Sequence, residues 1–316
     1  MKLLLLGANS FYARSIIPFL VANFTSVLGV SRSNMHSEIF DFIQSSNIEN
    51  YSYLKIDLVR DYEIFRANAI NFQPDVVIDA LGEGMVDPSW DKPDLWVETN
   101  VVLKVKFIQE LHLKGLNLKK YIRISTPEVY GSNDFEVDEL QVFNPSTPYA
   151  VSHAAIDQLL NIFFKEKNFP TIIARYGNFY GPYQQEFRLI PKAISSALIS
   201  KPFTLEGDGM SYRSFIFRDD LVTSVKHLLD YAKIGNAYHF SSNETVTIKY
   251  VVEKIYSMLA PHMKQRVIHI ADRRAKDKRY SLNIMKSTNE LNWIPKVNLD
   301  TGIDLTSKWL MSQQLK

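Results

Sequence analysis

Residues 148–156 read "PYAVSHAAI". Tyr149 and His153 stand four positions apart, so on a helix they share a face. A phenol beside a redox cofactor can take the proton of an alcohol as its hydride leaves. Acidity is the obstacle: a free tyrosine has a pKa near ~10 and is a poor base at neutral pH. A nearby cation stabilises the phenolate, and an imidazolium at His153 could be that cation. Histidine has an unperturbed pKa near ~6.5 and is mostly neutral at neutral pH. Cofactor phosphates or a carboxylate would have to raise it. Otherwise His153 is a helix-surface residue beside a site without ordinary redox chemistry.

A second cluster lies at the N-terminus. "LLLLGANSFYA" follows a strand and opens a helix, where a dinucleotide pyrophosphate would rest on the helix N-terminus. Gly7 is present, but the next two glycine positions of a G-x-x-G-x-x-G loop hold Ser10 and Ala13. Both are small enough for close backbone approach; an ordinary tight turn is the alternative. The next strand ends "GVSRSN". A carboxylate there would hold a ribose diol and suggest NAD. Ser31, Arg32 and Ser33 stand instead. A cation flanked by hydroxyls suits a 2′-phosphate and favours NADP slightly, unless Arg32 is simply a solvated loop arginine. Asp57 in "KIDLVRD" could accept from an adenine amino group or cap the next helix.

The elements that must position these residues are legible. "KLLLLG", "TSVLGV", "YSYLKI", "DVVIDA", "KKYIRIS" and "TIIARYG" have strand character. They alternate with helical patterns at 11–24, 37–46, 62–72, 94–113 and 148–167. This alternation predicts an α/β fold, a doubly wound parallel (Rossmann) sheet covered on both faces. Pro18 should bend the first helix. After residue 180 the elements shorten, with helices near 187–199, 218–231, 248–260 and 301–313. The expected division is a dinucleotide-binding domain over 1–180, with a return segment around 214–243, and a smaller substrate-binding lobe over 181–316.

Bulk properties narrow the function. The chain has 316 residues, 46% apolar and 22% charged, with net charge +2. No strong field draws it to nucleic acid or membrane. It contains no cysteine, which removes disulfides, thiolate metal sites and thiol nucleophiles. The seven histidines show no His-x-x-x-His pairing, so no metal site is expected. No G-x-S-x-G elbow points to a serine hydrolase. No apolar run approaches the roughly 18 residues of a membrane span, and "MKLLLLGANS" is not a convincing signal peptide. A cytoplasmic location is expected.

Six segments carry a family resemblance: "ALGEGMVDPSWDKPDLWVETN", "RISTPEVYG", "PYAVSHAAIDQLL", "ARYGNFYGPYQQEFRLIPKAI", "LEGDGMSYRSFIFRDDL" and "IADRRAKDKRYSLN". Over nearly its whole length the chain resembles the extended short-chain dehydrogenase/reductases that modify nucleotide sugars. It looks most like the dTDP-glucose 4,6-dehydratase branch. The resemblance implies a nucleotide-diphosphate sugar as substrate. It implies that Thr126 hydrogen-bonds the reacting sugar oxygen, that Tyr149 takes the C4 hydroxyl proton, and that Glu128 removes the C5 proton once C4 is a ketone. Candidate dinucleotide contacts are then Gly7, Ser10, Phe11, Ala13, Ser31, Arg32, Asp57, Leu58, Ala80, Leu81, Asn100 and His153. Asn178, Leu189 and Ile190 match the segment that holds the nucleotide, and Glu83 is a further substrate candidate. Arg213 and Arg273 match arginines that grip the diphosphate, as guanidinium forks suit phosphate oxygens.

The chain departs from the branch at three places. His153 replaces the lysine of Tyr-x-x-x-Lys, which holds the nicotinamide ribose and lowers the tyrosine pKa. Pro127 stands where an aspartic acid protonates the departing C6 hydroxyl. Gly84 and Met85 replace Ser-His and imply a smaller, greasier pocket floor, while Glu83 and Asp87 persist. Three functions follow as expectations: a dehydratase-like enzyme, a 4-keto-sugar reductase or 4-epimerase, or a nucleotide-sugar-binding protein without turnover. The helices over 93–113 and 148–167 are apolar on more than one face. The family pairs them with their copies in a partner subunit, which implies a homodimer.

Overall fold

The computed structural model describes residues 1–271 and 277–314. Its centre is a seven-stranded parallel sheet: β1 (Lys2–Leu6), β2 (Ser26–Ser31), β3 (Tyr51–Lys55), β4 (Val76–Asp79), β5 (Lys120–Ser125), β6 (Thr171–Tyr176) and, much later in the chain, β10 (Ala237–Phe240). The spatial order is β10-β6-β5-β4-β1-β2-β3. It reverses between β1 and β4, the switch point at which doubly wound sheets bind ligands. All six expected strands are present, and the fold is the α/β one the alternation predicts.

The strands read as unbroken apolar runs because both faces are covered. Leu3 and Leu5 point to one side and Leu4 and Leu6 to the other, as the two-residue side-chain period requires. The first side packs under α1 (Phe11–Asn23), α2 (Ser37–Ser45) and α9 (Arg218–Tyr231). The second packs under α3 (Tyr62–Phe72), α6 (Leu103–Leu113) and α7 (Pro148–Lys167). Helix α1 continues through Pro18 to Asn23.

The single helix expected over 94–113 is subdivided. Two short turns, α4 (Pro88–Asp91) and α5 (Pro93–Val97), lead into a π-helical segment, Glu98–Val102, before α6 begins. Thr99, Val101 and Val102 are β-branched and crowd a regular helix. Asn100, in their midst, is fully buried and held by hydrogen bonds outside its own helix.

The rest of the chain forms a third core. It contains α8 (Leu189–Leu198), α10 (Ile248–Leu259) and α12 (Leu299–Gln314), with a three-stranded sheet of β7 (Asn178–Tyr180), β9 (Tyr212–Phe217) and β11 (Thr245–Thr247). A two-stranded ladder of β8 (Phe203–Glu206) and β12 (Val267–Ile270) adds to it, while α11 (Met285–Leu291) packs against β10. The sequence pattern marked α8, α10 and α12 but neither α11 nor any of these short strands. They do not alternate regularly with long helices as the central strands do, so no βαβ pattern marks them.

Candidate active site

A cleft of about 1340 Å³ opens over the carboxyl ends of β1, β2, β4 and β5 and runs to α8 and β9. Ordinary small-molecule sites enclose roughly 300–1,000 Å³. This one has room for more than one small ligand.

At one end of the cleft, Gly7 has φ +75°, and a Cβ there would lie 2.5 Å from the Ala80 carbonyl oxygen and 2.8 Å from Leu81 N. Backbone from β4 therefore sits where any side chain would go, and only glycine fits. Ser10 caps α1: its Oγ accepts from Ala13 N at 3.2 Å. The helix start, with its unpaired N–H groups, faces the cleft through Ser10, Phe11 and Tyr12. Ala13 is fully buried behind that turn. Ser31, Arg32, Asp57, Leu58, Ala80 and Leu81 line the same end. Arg32 pairs with Glu83 at 2.6 Å. Asp57 caps its own turn, accepting from Val59 N and Arg60 N at 3.0 and 3.2 Å. The Gly7 cradle and the helix start fit a dinucleotide pyrophosphate.

The chemistry-bearing residues meet mid-cleft. Thr126 ends β5 and caps the 3₁₀ turn Pro127–Tyr130, its Oγ1 accepting from Glu128 N at 3.3 Å. Tyr149, in the first turn of α7, lies beside Thr126 and lines the cleft with it. Burial raises the Tyr149 pKa, and the Glu128 carboxylate raises it further; Thr126 and the Arg123 guanidinium work in the opposite direction. Glu128 and Pro127 line the cleft beside them, and the proline ring offers no proton. Gly84 and Met85 are exposed at its rim rather than its floor. A Cβ on Gly84 would meet nothing within 4 Å.

His153 is nine-tenths buried, and its ring lies 4.5 Å from that of Tyr149. Its Nδ1 is 3.0 Å from Nη2 of Arg123. Burial, then the Arg123 and Lys104 cations, hold the imidazole well below its ordinary pKa. The ring is neutral, and the cation against it is Arg123. That guanidinium is buried on β5, 3.5 Å from Asp79, while Lys104 places its ammonium 2.7 Å from each Asp79 oxygen. Burial pushes the Asp79 pKa up, but the Lys104 and Arg123 charges outweigh it and keep the group a carboxylate.

None of Asp79, Lys104 and Arg123 was singled out from sequence. A signal existed: an arginine in "YIRIS", a strand buried on both faces, must have a buried partner. Arg188 was also passed over. It lines the cleft just before α8, where burial lowers its pKa and the neighbouring Tyr149, Tyr280 and Glu128 work in the opposite direction.

At the far end, Asn178, Leu189, Ile190 and Arg213 line the wall. Arg213 lies over the Tyr280 ring at 3.9 Å and donates to the carbonyls of Tyr212 and Asp277 at 2.7 and 2.9 Å. Tyr280 donates to Asn178 Oδ1 at 2.9 Å. Arg273 lies outside the described residues. Asn100 is fully buried away from this wall: its Oδ1 accepts from Glu83 N at 2.9 Å and its Nδ2 donates to Ser152 Oγ at 3.0 Å. It ties the Glu83 loop to α7. Among the described residues, no group of three His, Cys, Asp or Glu is placed to hold a metal ion. None of their helices is long and apolar enough to cross a membrane.

Known proteins share this fold. A dTDP-glucose 4,6-dehydratase of Haemophilus influenzae is 29% identical over 333 residues, covering 98% of both chains. The structure of DesIV, a dTDP-glucose 4,6-dehydratase of Streptomyces venezuelae determined with NAD bound, superposes with a TM-score of 0.90 at 25% identity, covering 99% of this chain and 98% of that one. The fold of a UDP-glucuronic acid 4-epimerase from Bacillus cereus is similar as well, with a TM-score of 0.88 at 23% identity over the full length of both chains. A model of the NAD dependent epimerase/dehydratase family matches residues 3–240, and the chain belongs to that family.

Proposed function

We propose that this protein is a nucleotide-sugar enzyme of the dehydratase/epimerase type that works on the C4 hydroxyl of its substrate. One observation carries the reading: Thr126, Tyr149 and Glu128 gather mid-cleft, between the Gly7 turn and the Arg213–Tyr280–Asn178 wall. Gly7, Ser10, Phe11, Leu58, Ala80 and Leu81 would hold a dinucleotide, which when bound accepts hydride from C4 and returns it. Thr126 Oγ1 holds the reacting oxygen, and Tyr149 Oη takes its proton. Glu128 then stands ready for the C5 proton, made acidic by the neighbouring ketone. Arg213, with its flat face on Tyr280, retains N–H donors for a diphosphate. The NAD-bound relatives favour NAD, while Arg32 between Ser31 and Ser33 supports NADP.

Residues 1–180, with the return through α9 and β10, are proposed to hold the dinucleotide, and 181–316 the nucleotide sugar. The separate cores support this division. Val97, Val102, Val151 and Ile162 are exposed on helices that lie side by side and support a homodimer through that face.

Pro127 favours a second outcome. Without an acid at that position, a reaction that stops at C4, as epimerase or reductase, needs no proton delivered to C6. Mass spectrometry of cofactor released from purified protein, followed by a screen of nucleotide-diphosphate sugars, tests both. Loss of water identifies the dehydratase, and an isomer or a gain of two hydrogens identifies the C4-only reactions. Absence of dinucleotide from the protein, with no binding of added NAD or NADP, overturns the proposal.

A further inference from the structure

The family's lysine has no counterpart on α7, yet a guanidinium reaches His153 from β5. We infer that Arg123 is a positioning residue that takes over the lysine's charge, acting on the nicotinamide-ribose region through a His153 whose tautomer it fixes. This deepens the proposed function and rests on it.

The tautomer follows from hydrogen-bond chemistry. Guanidinium nitrogens only donate. With Arg123 Nη2 at 3.0 Å, His153 Nδ1 must be the lone-pair nitrogen. A neutral ring then carries its proton on Nε2, and that Nε2 has no hydrogen-bond partner in the protein although the residue is nine-tenths buried. An unpaired buried donor is destabilising, so it asks for an acceptor. The ring lines the cleft next to Tyr149, and a ribose hydroxyl is an acceptor of suitable chemistry. Donation from Arg123 to Nδ1 polarises the ring and strengthens Nε2–H as a donor.

The guanidinium is also locked. Its Nη1 faces Asp79 Oδ2 at 3.5 Å and the carbonyls of Asp79 and Leu81 at 3.4 and 3.3 Å. Lys104 and Tyr121 complete the shell around Asp79. The guanidinium is a delocalised cation whose nitrogens only donate. An imidazolium would have vanished above its own pKa. Histidine at 153 is then an uncharged relay that leaves room for a cation at 123; a lysine there would set two cations against each other.

The test measures binding of NAD by titration calorimetry and formation of tyrosinate by ultraviolet difference absorbance, in full-length protein. Arg123→Met is expected to weaken NAD binding about tenfold or more, the effect of losing a charge-assisted hydrogen bond, and to move tyrosinate formation to higher pH. Arg123→Met combined with His153→Lys is expected to recover both, because it returns the cation to α7. A role confined to packing would not be rescued that way. His153→Asn keeps an acceptor for Arg123 but lacks the Nε2 donor, and should weaken NAD binding about tenfold on its own. It carries the test should Arg123→Met fail to fold. Wild-type affinity in a folded Arg123→Met or in His153→Asn, or no recovery in the double variant, overturns this inference alone. No NAD or NADP binding by the wild type overturns the proposed function with it.

Discussion

Arg32 and Glu83 form an ion pair of 2.6 Å between the end of β2 and the loop after β4. Arg32 is two-thirds exposed, whereas Glu83 is mostly covered. The pair ties the 2′-phosphate candidate to a carboxylate that a second negative group would approach. Glu83→Gln should therefore improve NADPH binding relative to NADH, by up to about tenfold at low salt. Arg32→Ala should lower the same ratio. Nicotinamide fluorescence titrations of both cofactors measure it; an unchanged ratio in both variants excludes Arg32 from cofactor choice.

Tyr149 has its proton-accepting oxygen beside Thr126, with burial and Glu128 raising its pKa. The phenolate is therefore the minority form at neutral pH. Turnover should climb as pH rises above neutrality. Tyr149→Phe should cut kcat by about 10²–10⁴-fold, the usual range for loss of a general base, with dinucleotide binding retained. Steady-state rates across pH check both statements.

His153 and His239 are buried and neutral, each held well below the ordinary imidazole pKa, first by burial and then by Arg123 or Arg175. In the unfolded chain both take up protons near pH ~6.5. Between the folded and unfolded values the unfolded state binds more protons, so stability rises with pH there. The contribution is complete above pH ~6.5 and is lost as pH falls toward the folded values. Thermal unfolding should show Tm dropping below that point. His153→Asn should flatten the drop; a curve as steep as the wild type's would exclude His153 as a source.

Gly7→Ala would force a Cβ against the Ala80 carbonyl at positive φ. The cost should be about 1–3 kcal/mol of stability, with dinucleotide binding lost because the turn must open. Denaturant unfolding and calorimetry read the two effects separately.

The exposed Val97, Val102, Val151 and Ile162 should lie in a subunit interface. Val151→Asp with Ile162→Asp is expected to give a folded monomer where the wild type sediments as a dimer. Equal sedimentation of the two proteins would rule out this face.

The central sheet was legible because its determinants are local. Short apolar runs separated by amphipathic stretches can form little else, and Gly7 marks a turn that only glycine makes. Tyr149 and His153 share a helix face for the same reason: four residues span about one turn. Charges that meet across the fold were not legible. Arg123 reads as one polar residue in a strand, thirty positions from His153. Asn100 reads as a helix residue, although a π-helical turn carries it into contact with the Glu83 loop and Ser152. Periodicity states which way a side chain faces, but not which distant element packs there. Which cation meets His153 was decided only when β5 was laid against α7.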